Sequence, residues 1–260
     1  MRVALLALAV LTQGKAELKP RFQKFDRVTV SCTIQTEIKS SNGRDSKYTL
    51  ELGLAAEAEK VDGEAVVFDC GVSSLKINGR LDGRTVNFEW TKSGTERGEK
   101  IASIQKALEK GWKCIFFGKK GFSVTDTAGE LGDTLPLFNP GIFLGLSTPL
   151  PDGAMDVGKG WEVKDLKFPY FGGFAVRYVA TLDLVKGDTA KISSRLFFSR
   201  PESEVPIEGV VNVKGDGDAS LEYDVRSGRP TRGATALKLT SQMGGLKREV
   251  DQVIEFEVRR

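Results

Sequence analysis

The chain has 260 residues, 40% hydrophobic and 28% charged, with 38 basic against 35 acidic side chains, 29 glycines and no histidine. Such a composition excludes long intrinsic disorder, and its near-even charge excludes the massed lysine and arginine of a nucleic-acid footprint. Without histidine, neither a Ser-His-Asp nor a Cys-His catalytic apparatus can be assembled from this chain.

Arg2 precedes an apolar run from Val3 to Leu11, and Gly14 and Ala16 are small enough for the third and first positions before a signal-peptidase cut. Residues 1–16 are therefore expected to be a signal peptide, and the protein to be exported, periplasmic or extracellular. The run is shorter than the roughly 20 residues a spanning helix needs, and no later one is long enough, so no transmembrane segment is expected.

From Arg27 to Lys39, Val28, Val30, Cys32, Ile34 and Ile38 alternate with polar residues. Strand side chains point to opposite faces in turn, so the pattern predicts a long antiparallel strand with one buried face. The same alternation recurs at Tyr48, Leu50, Leu52 and Leu54, at Val66, Phe68, Cys70 and Val72, and at Val86, Phe88 and Trp90. Ser40-Ser41-Asn42-Gly43, Val61-Asp62-Gly63, Asn78-Gly79 and Asp82-Gly83 supply hairpin chemistry between these strands, because glycine takes positive φ without steric cost. The three cysteines, Cys32, Cys70 and Cys114, leave one unpaired in any bridge. Small apolar core side chains are the preferred reading, with a Cys32–Cys70 disulfide left open. Their spacing does not suit a metal site.

After Trp90 the period changes. Ser93-Gly94-Thr95-Glu96 has capping-box spacing, Ile101, Ile104, Leu108 and Trp112 recur at helical intervals, and Gly111 stands where a helix would end. This predicts one helix over residues 96–111. Phe116-Phe117 and Phe122 to Val124, joined by Gly118-Lys119-Lys120-Gly121, read as another hairpin. Residues 131–173 lose alternation and carry five prolines, at 136, 140, 149, 151 and 169, yet stay apolar at Phe138, Ile142, Phe143 and Leu146. Such a segment either packs over the open end of a sheet or forms the wall of an apolar cavity. Strands are expected again over Phe174 to Leu184, Ala190 to Phe198, Ile207 to Val213, Ala219 to Val225, Thr235 to Ser241 and Gln252 to Val258. Tyr48, Leu52 and Leu54 are echoed by Tyr178, Leu182 and Leu184, which suggests two related halves.

Two short pieces carry a resemblance. Leu150-Pro151-Asp152-Gly153-Ala154-Met155-Asp156-Val157-Gly158-Lys159-Gly160-Trp161 resembles a junction found in an uncharacterised family of exported bacterial β-proteins, a domain of unknown function. The stretch from Gly217 to Gly228, with Tyr223-Asp224 at its centre, is similar to a hairpin of that family. Gly160 departs from the polar residue usual before the tryptophan. The resemblance implies export and paired β regions, and it lends no activity, cofactor or catalytic residue.

The remaining catalytic pattern is Ser-Lys. Ser103-Ile104-Gln105-Lys106, Lys92-Ser93-Gly94 and Ser40-Ser41-Asn42 copy pieces of the penicillin-recognising enzymes, but in the wrong chain order and without their helical framework. Gly215-Asp216-Gly217-Asp218 lacks the rest of a calcium loop and reads as a hairpin turn. The expectation is a mainly β protein of two related coiled antiparallel sheets, an open half-barrel or sandwich, with one helix. Its expected parts are residues 17–130, an irregular apolar connection over 131–173, and residues 174–260. It is expected to be non-catalytic and without cofactor. An apolar small molecule or an envelope component is the expected partner, held by Phe138, Ile142, Phe143, Leu146, Trp161, Tyr170 and Phe171. A structural or adhesive envelope module is the alternative, and a Ser-Lys hydrolase the second.

Overall fold

The computed structural model describes residues 14–63, 65–94, 96–98, 112–117, 121–124, 148–168, 174–199, 212–243 and 245–259. The first half holds β1 (Lys15–Glu17), β2 (Arg27–Ser40), β3 (Ser46–Asp62), β4 (Ala65–Leu81), β5 (Arg84–Thr91), β6 (Glu96–Gly98), β7 (Trp112–Phe117) and β8 (Gly121–Val124). The second holds β9 (Ala154–Asp156), β10 (Gly160–Phe168), β11 (Phe174–Lys186), β12 (Thr189–Ser199), β13 (Asn212–Asp224), β14 (Arg229–Met243) and β15 (Leu246–Arg259). They form two antiparallel sheets. One is a two-stranded ribbon of β1 and β9; the other has 13 strands in the order β10-β11-β12-β13-β14-β15-β2-β3-β4-β5-β6, with β7 and β8 branching from β4. The large sheet is open rather than closed into a barrel.

Alternation is realised as burial. Along β2, Val30, Cys32, Ile34 and Thr36 are buried while Thr29, Ser31 and Gln35 are exposed. The inner faces of both halves meet in a single apolar cluster that includes Leu50, Ile77 and Phe88 from one side and Leu182, Ile192 and Leu196 from the other. Between Leu81 and Arg84, Asp82 (φ 48°) and Gly83 (φ 83°) make a two-residue hairpin turn with both central residues left-handed, whose twist matches that of its strands. Strands of 17 residues such as β3 and β4 coil strongly, and β-bulges near Gly53, Ala58, Val163, Leu182 and Glu222 add to the twist.

Several expectations are corrected. The β regions of the two halves do not form separate sheets: β15 pairs with β2 from Arg248↔Ser40 to Arg259↔Thr29. Two strands of this length with matched buried rows, Ile254 opposite Ile34 and Phe256 opposite Cys32, remove each other's unpaired edge. The expected helix over 96–111 is not found in the described residues. Glu96–Gly98 instead extends the sheet as β6 against Phe88–Trp90, and residues 99–111 lie outside the described residues. The hairpin won because Gly94 (φ 111°) supplies the turn and Gly98 (φ 96°) lies against Asn87, where a Cβ would meet the carbonyl oxygen at 2.0 Å. Asn78-Gly79 lies inside β4 rather than at a turn.

Gly215-Asp216-Gly217-Asp218 likewise runs through β13. Gly215 and Gly217 leave room for Leu239 and Leu237 of β14, while Asp216 pairs with Arg195 at 3.1 Å on the outer face. Within the stretch expected to be irregular, β9 and β10 are regular strands.

Candidate functional site

The inner face of the large sheet holds a partly open cavity of about 90 Å³. Its floor follows from strand register. Val258 of β15, Val30 of β2 and Leu54 of β3 are opposed in one cross-strand row, and Val28, Ala56 and Cys70 in the next. Ala56 and Cys70 are small where their neighbours are branched, and this leaves the hollow. Phe68 forms one wall, with Leu221 and Tyr223 of β13 and Arg229 and Pro230 of β14 opposite, and Thr148 and Leu150 bound it as well.

Residues 18–26 run beside the cavity as a strap, with Phe22 in its lining. Leu18 is buried, and Phe22 meets Phe68 edge to face at 5.0 Å between ring centroids. The strap is tied to β3 by Phe25 N–H donating to the Ala58 carbonyl (2.7 Å) and Ala58 N–H donating to the Asp26 carbonyl (2.9 Å). Arg229 pairs with the Asp26 carboxylate and lies 4.7 Å over the Phe22 ring, so one side chain joins β14 to the strap by charge and by cation–π contact. Asp26 Oδ2 also accepts from Gln23 N–H at 2.6 Å. Gly228 (φ 66°) lets the strap approach: a Cβ there would stand 2.4 Å from the Lys19 carbonyl oxygen and 2.6 Å from Arg21 N.

Polar groups are few in this cavity. Tyr223 is 2% exposed, and burial pushes its phenol up, with Arg21 and Arg229 opposing and Asp224 adding, so the hydroxyl stays a protonated donor. Among the described residues, neither Tyr223 Oη nor Arg229 Nε has a hydrogen-bond partner in the protein, although both are buried. Cys32 and Cys70 are not bonded to each other. They lie on β2 and β4 with β3 between them, out of register, so no bridge joins them. Burial pushes the Cys32 thiol up to about 12, which makes it an inert core side chain.

Of the side chains expected to hold a ligand, Trp161 is described, and it is not in the cavity wall. Its Nε1 donates to the Pro149 carbonyl at 2.8 Å, so it positions the Thr148–Leu150 segment that bounds the cavity. Phe138, Ile142, Phe143, Leu146, Tyr170 and Phe171 lie outside the described residues. Ser103 and Lys106 also lie outside them, while Lys92 and Ser93 occupy the turn after β5 and Ser41 and Asn42 the turn after β2. Alternation makes Tyr223 legible as an inward residue beside Leu221, but no sequence signal marks Arg229 or Phe22.

A second, larger and more open concavity of about 800 Å³ lies on the outer face, lined by alternating partners of the same strands, among them Ser31, Thr33, Asp183, Glu255 and Glu257. Its charges are largely paired: Glu222 binds Arg232 through two hydrogen bonds at 2.7 and 2.8 Å and Lys191 at 3.2 Å. No cluster of potential metal ligands occurs among the described residues, and no helix among them is long and apolar enough to cross a membrane. No protein family matches the chain, and no curated protein matches it.

Proposed function

We propose that this is an exported, non-catalytic binding protein that takes a small apolar group into the cavity between the coiled sheet and its N-terminal strap. The observation that carries the reading is the hollow left by Ala56 and Cys70 in an otherwise branched aliphatic floor, walled by strands from both halves. Apolar cavities of this kind stay dry and accept apolar guests. At about 90 Å³ it holds roughly three times the ~30 Å³ that one water occupies in the liquid. Burying about three methylene groups is worth about 2–3 kcal/mol, which corresponds to a dissociation constant of about 10–30 mM. Export rests on the apolar run Val3 to Leu11 and on the resemblance at Leu150 to Trp161 and Gly217 to Gly228.

The test is titration of the purified protein with 1-chlorobutane, followed by methyl NMR. Saturable shifts are expected at Val28, Val30 and Leu54, and Ala56→Leu, which fills the hollow, should abolish them. Absence of saturable binding to the unaltered protein would overturn the reading.

A further inference from the structure

The cavity lining is apolar apart from Thr148, Tyr223 and Arg229. Tyr223 and Arg229 sit on neighbouring strands beside the β13–β14 turn, with Tyr223 opposite Pro230 and Asp224 opposite Arg229. Both line the cavity, Tyr223 is 2% exposed and the Arg229 side chain 13%. The Arg229 guanidinium spends an NH2 group on Asp26 and leaves its Nε–H without an acceptor among the described residues, as is the Tyr223 hydroxyl. Buried donors left unpaired cost free energy, and a native structure retains them where something else completes them.

Resting on the reading of the cavity as an apolar binding site, we propose that its ligand is an acyl compound. The carbonyl oxygen accepts from Tyr223 Oη–H and Arg229 Nε–H, and a short alkyl chain lies over Val30, Leu54 and Ala56. One sp² oxygen carries two lone pairs and so satisfies both donors at once. The charges near the phenol, Arg21 and Arg229 against Asp224, with Asp26 paired to Arg229, nearly cancel. An uncharged acyl group, as in an ester, therefore fits better than a free carboxylate, whose charge would lose its hydration in an apolar cavity without gaining a net opposite charge. The enclosed space sets the chain at about four carbons, longer chains extending toward the open side.

The experiment compares methyl butanoate, butanoate and 1-chlorobutane by NMR titration of the full chain, in the unaltered protein and in Tyr223→Phe and Arg229→Gln. Methyl butanoate is expected to bind roughly tenfold more tightly than 1-chlorobutane, with butanoate weaker than the ester. That preference should fall below about threefold in Tyr223→Phe, which keeps the ring and the apolar wall. Without ligand, Tyr223→Phe should melt at the same temperature as the unaltered protein or higher, because it removes an unpaired buried donor. A hydroxyl with a purely structural role would lower the melting temperature.

Equal binding of ester and chloride would overturn the acyl assignment and leave the apolar site standing. A preference that survives both substitutions would overturn it too, by placing the oxygen elsewhere. A carboxylate preferred over the ester would reassign the source to a free acid. If none of the three binds, the apolar reading fails and takes the acyl assignment with it.

Discussion

Glu222 stands on the outer face of β13 between Lys191 and Arg232, and the Arg232 hydrogen bonds, with help from Lys191, lower its carboxyl from 4.5 to about 2. A carboxyl depressed in the folded state contributes stability in full above about pH 4.5 and loses it as the pH falls toward 2. Its partners are largely exposed, 52% for Lys191 and 65% for Arg232, so the contribution is screened and stays within about 1 kcal/mol. Glu222→Gln is therefore expected to lose less stability than the unaltered protein between pH 4.5 and 2. Melting temperatures across that range test this, and parallel curves would mean that the cluster contributes nothing. On the inner face the same strand carries Tyr223, whose chemistry is set by burial rather than charge. Successive residues of one strand thus face two dielectric environments.

At the scale of elements, the strap over residues 18–26 is the least conventional piece. It lacks a strand ladder of its own and is fixed by a few specific contacts: Leu18 in the core, Phe22 against Phe68, Asp26 with Arg229, and the close approach at Gly228. Phe25, at φ 71° and 66% exposed, turns the chain from the strap into β2 at a backbone conformation a bulky residue seldom takes. Gly228→Ala should dislodge the strap, since both the positive φ and the 2.4 Å approach to Lys19 oppose a Cβ. The expected loss is about 1–3 kcal/mol, with faster proteolytic cleavage inside residues 18–26. A variant that melts and resists protease like the unaltered protein would disprove the strap's dependence on this glycine. β1 lies just upstream, with Ala16 buried and the Gly14 carbonyl accepting from Val157 N–H at 3.0 Å, so a cut after Ala16, as the sequence leads one to expect, would remove Lys15 and Ala16 from their pairing with β9.

Over the whole molecule, the seam between β15 and β2 joins the first and last long strands of the chain and makes one sheet of what the sequence presents as two β regions. Because both regions also share one apolar cluster, neither keeps its core if the other melts. A single calorimetric transition is expected, and Ile34→Ala, at a fully buried seam position opposite Ile254, should lower it by about 2–5 kcal/mol without splitting it. Two separable transitions would contradict this account of the seam.

Period-two alternation in the sequence was enough to place β2, β3, β5, β11 and β12 and to say which side chains of β2, β3 and β5 face inward, because strand geometry is local and the buried face leaves its mark residue by residue; in β11 the bulge between Leu182 and Leu184 breaks the row and leaves Leu184 exposed. The hairpin at Asp82-Gly83 was legible for the same reason. Which strands become neighbours was not, since the β15–β2 pairing links residues more than 200 positions apart through edge complementarity that no local pattern records. The capping-box spacing at Ser93 to Glu96 misled because a hairpin turn and a helix start use the same small polar residues, and only the sheet edge beside Phe88 decides between them. The cavity belongs to the same class of feature. Ala56 and Cys70 are unremarkable in sequence and become a hollow only when register sets them side by side, with Tyr223 and Arg229 brought to its end from the far half of the chain.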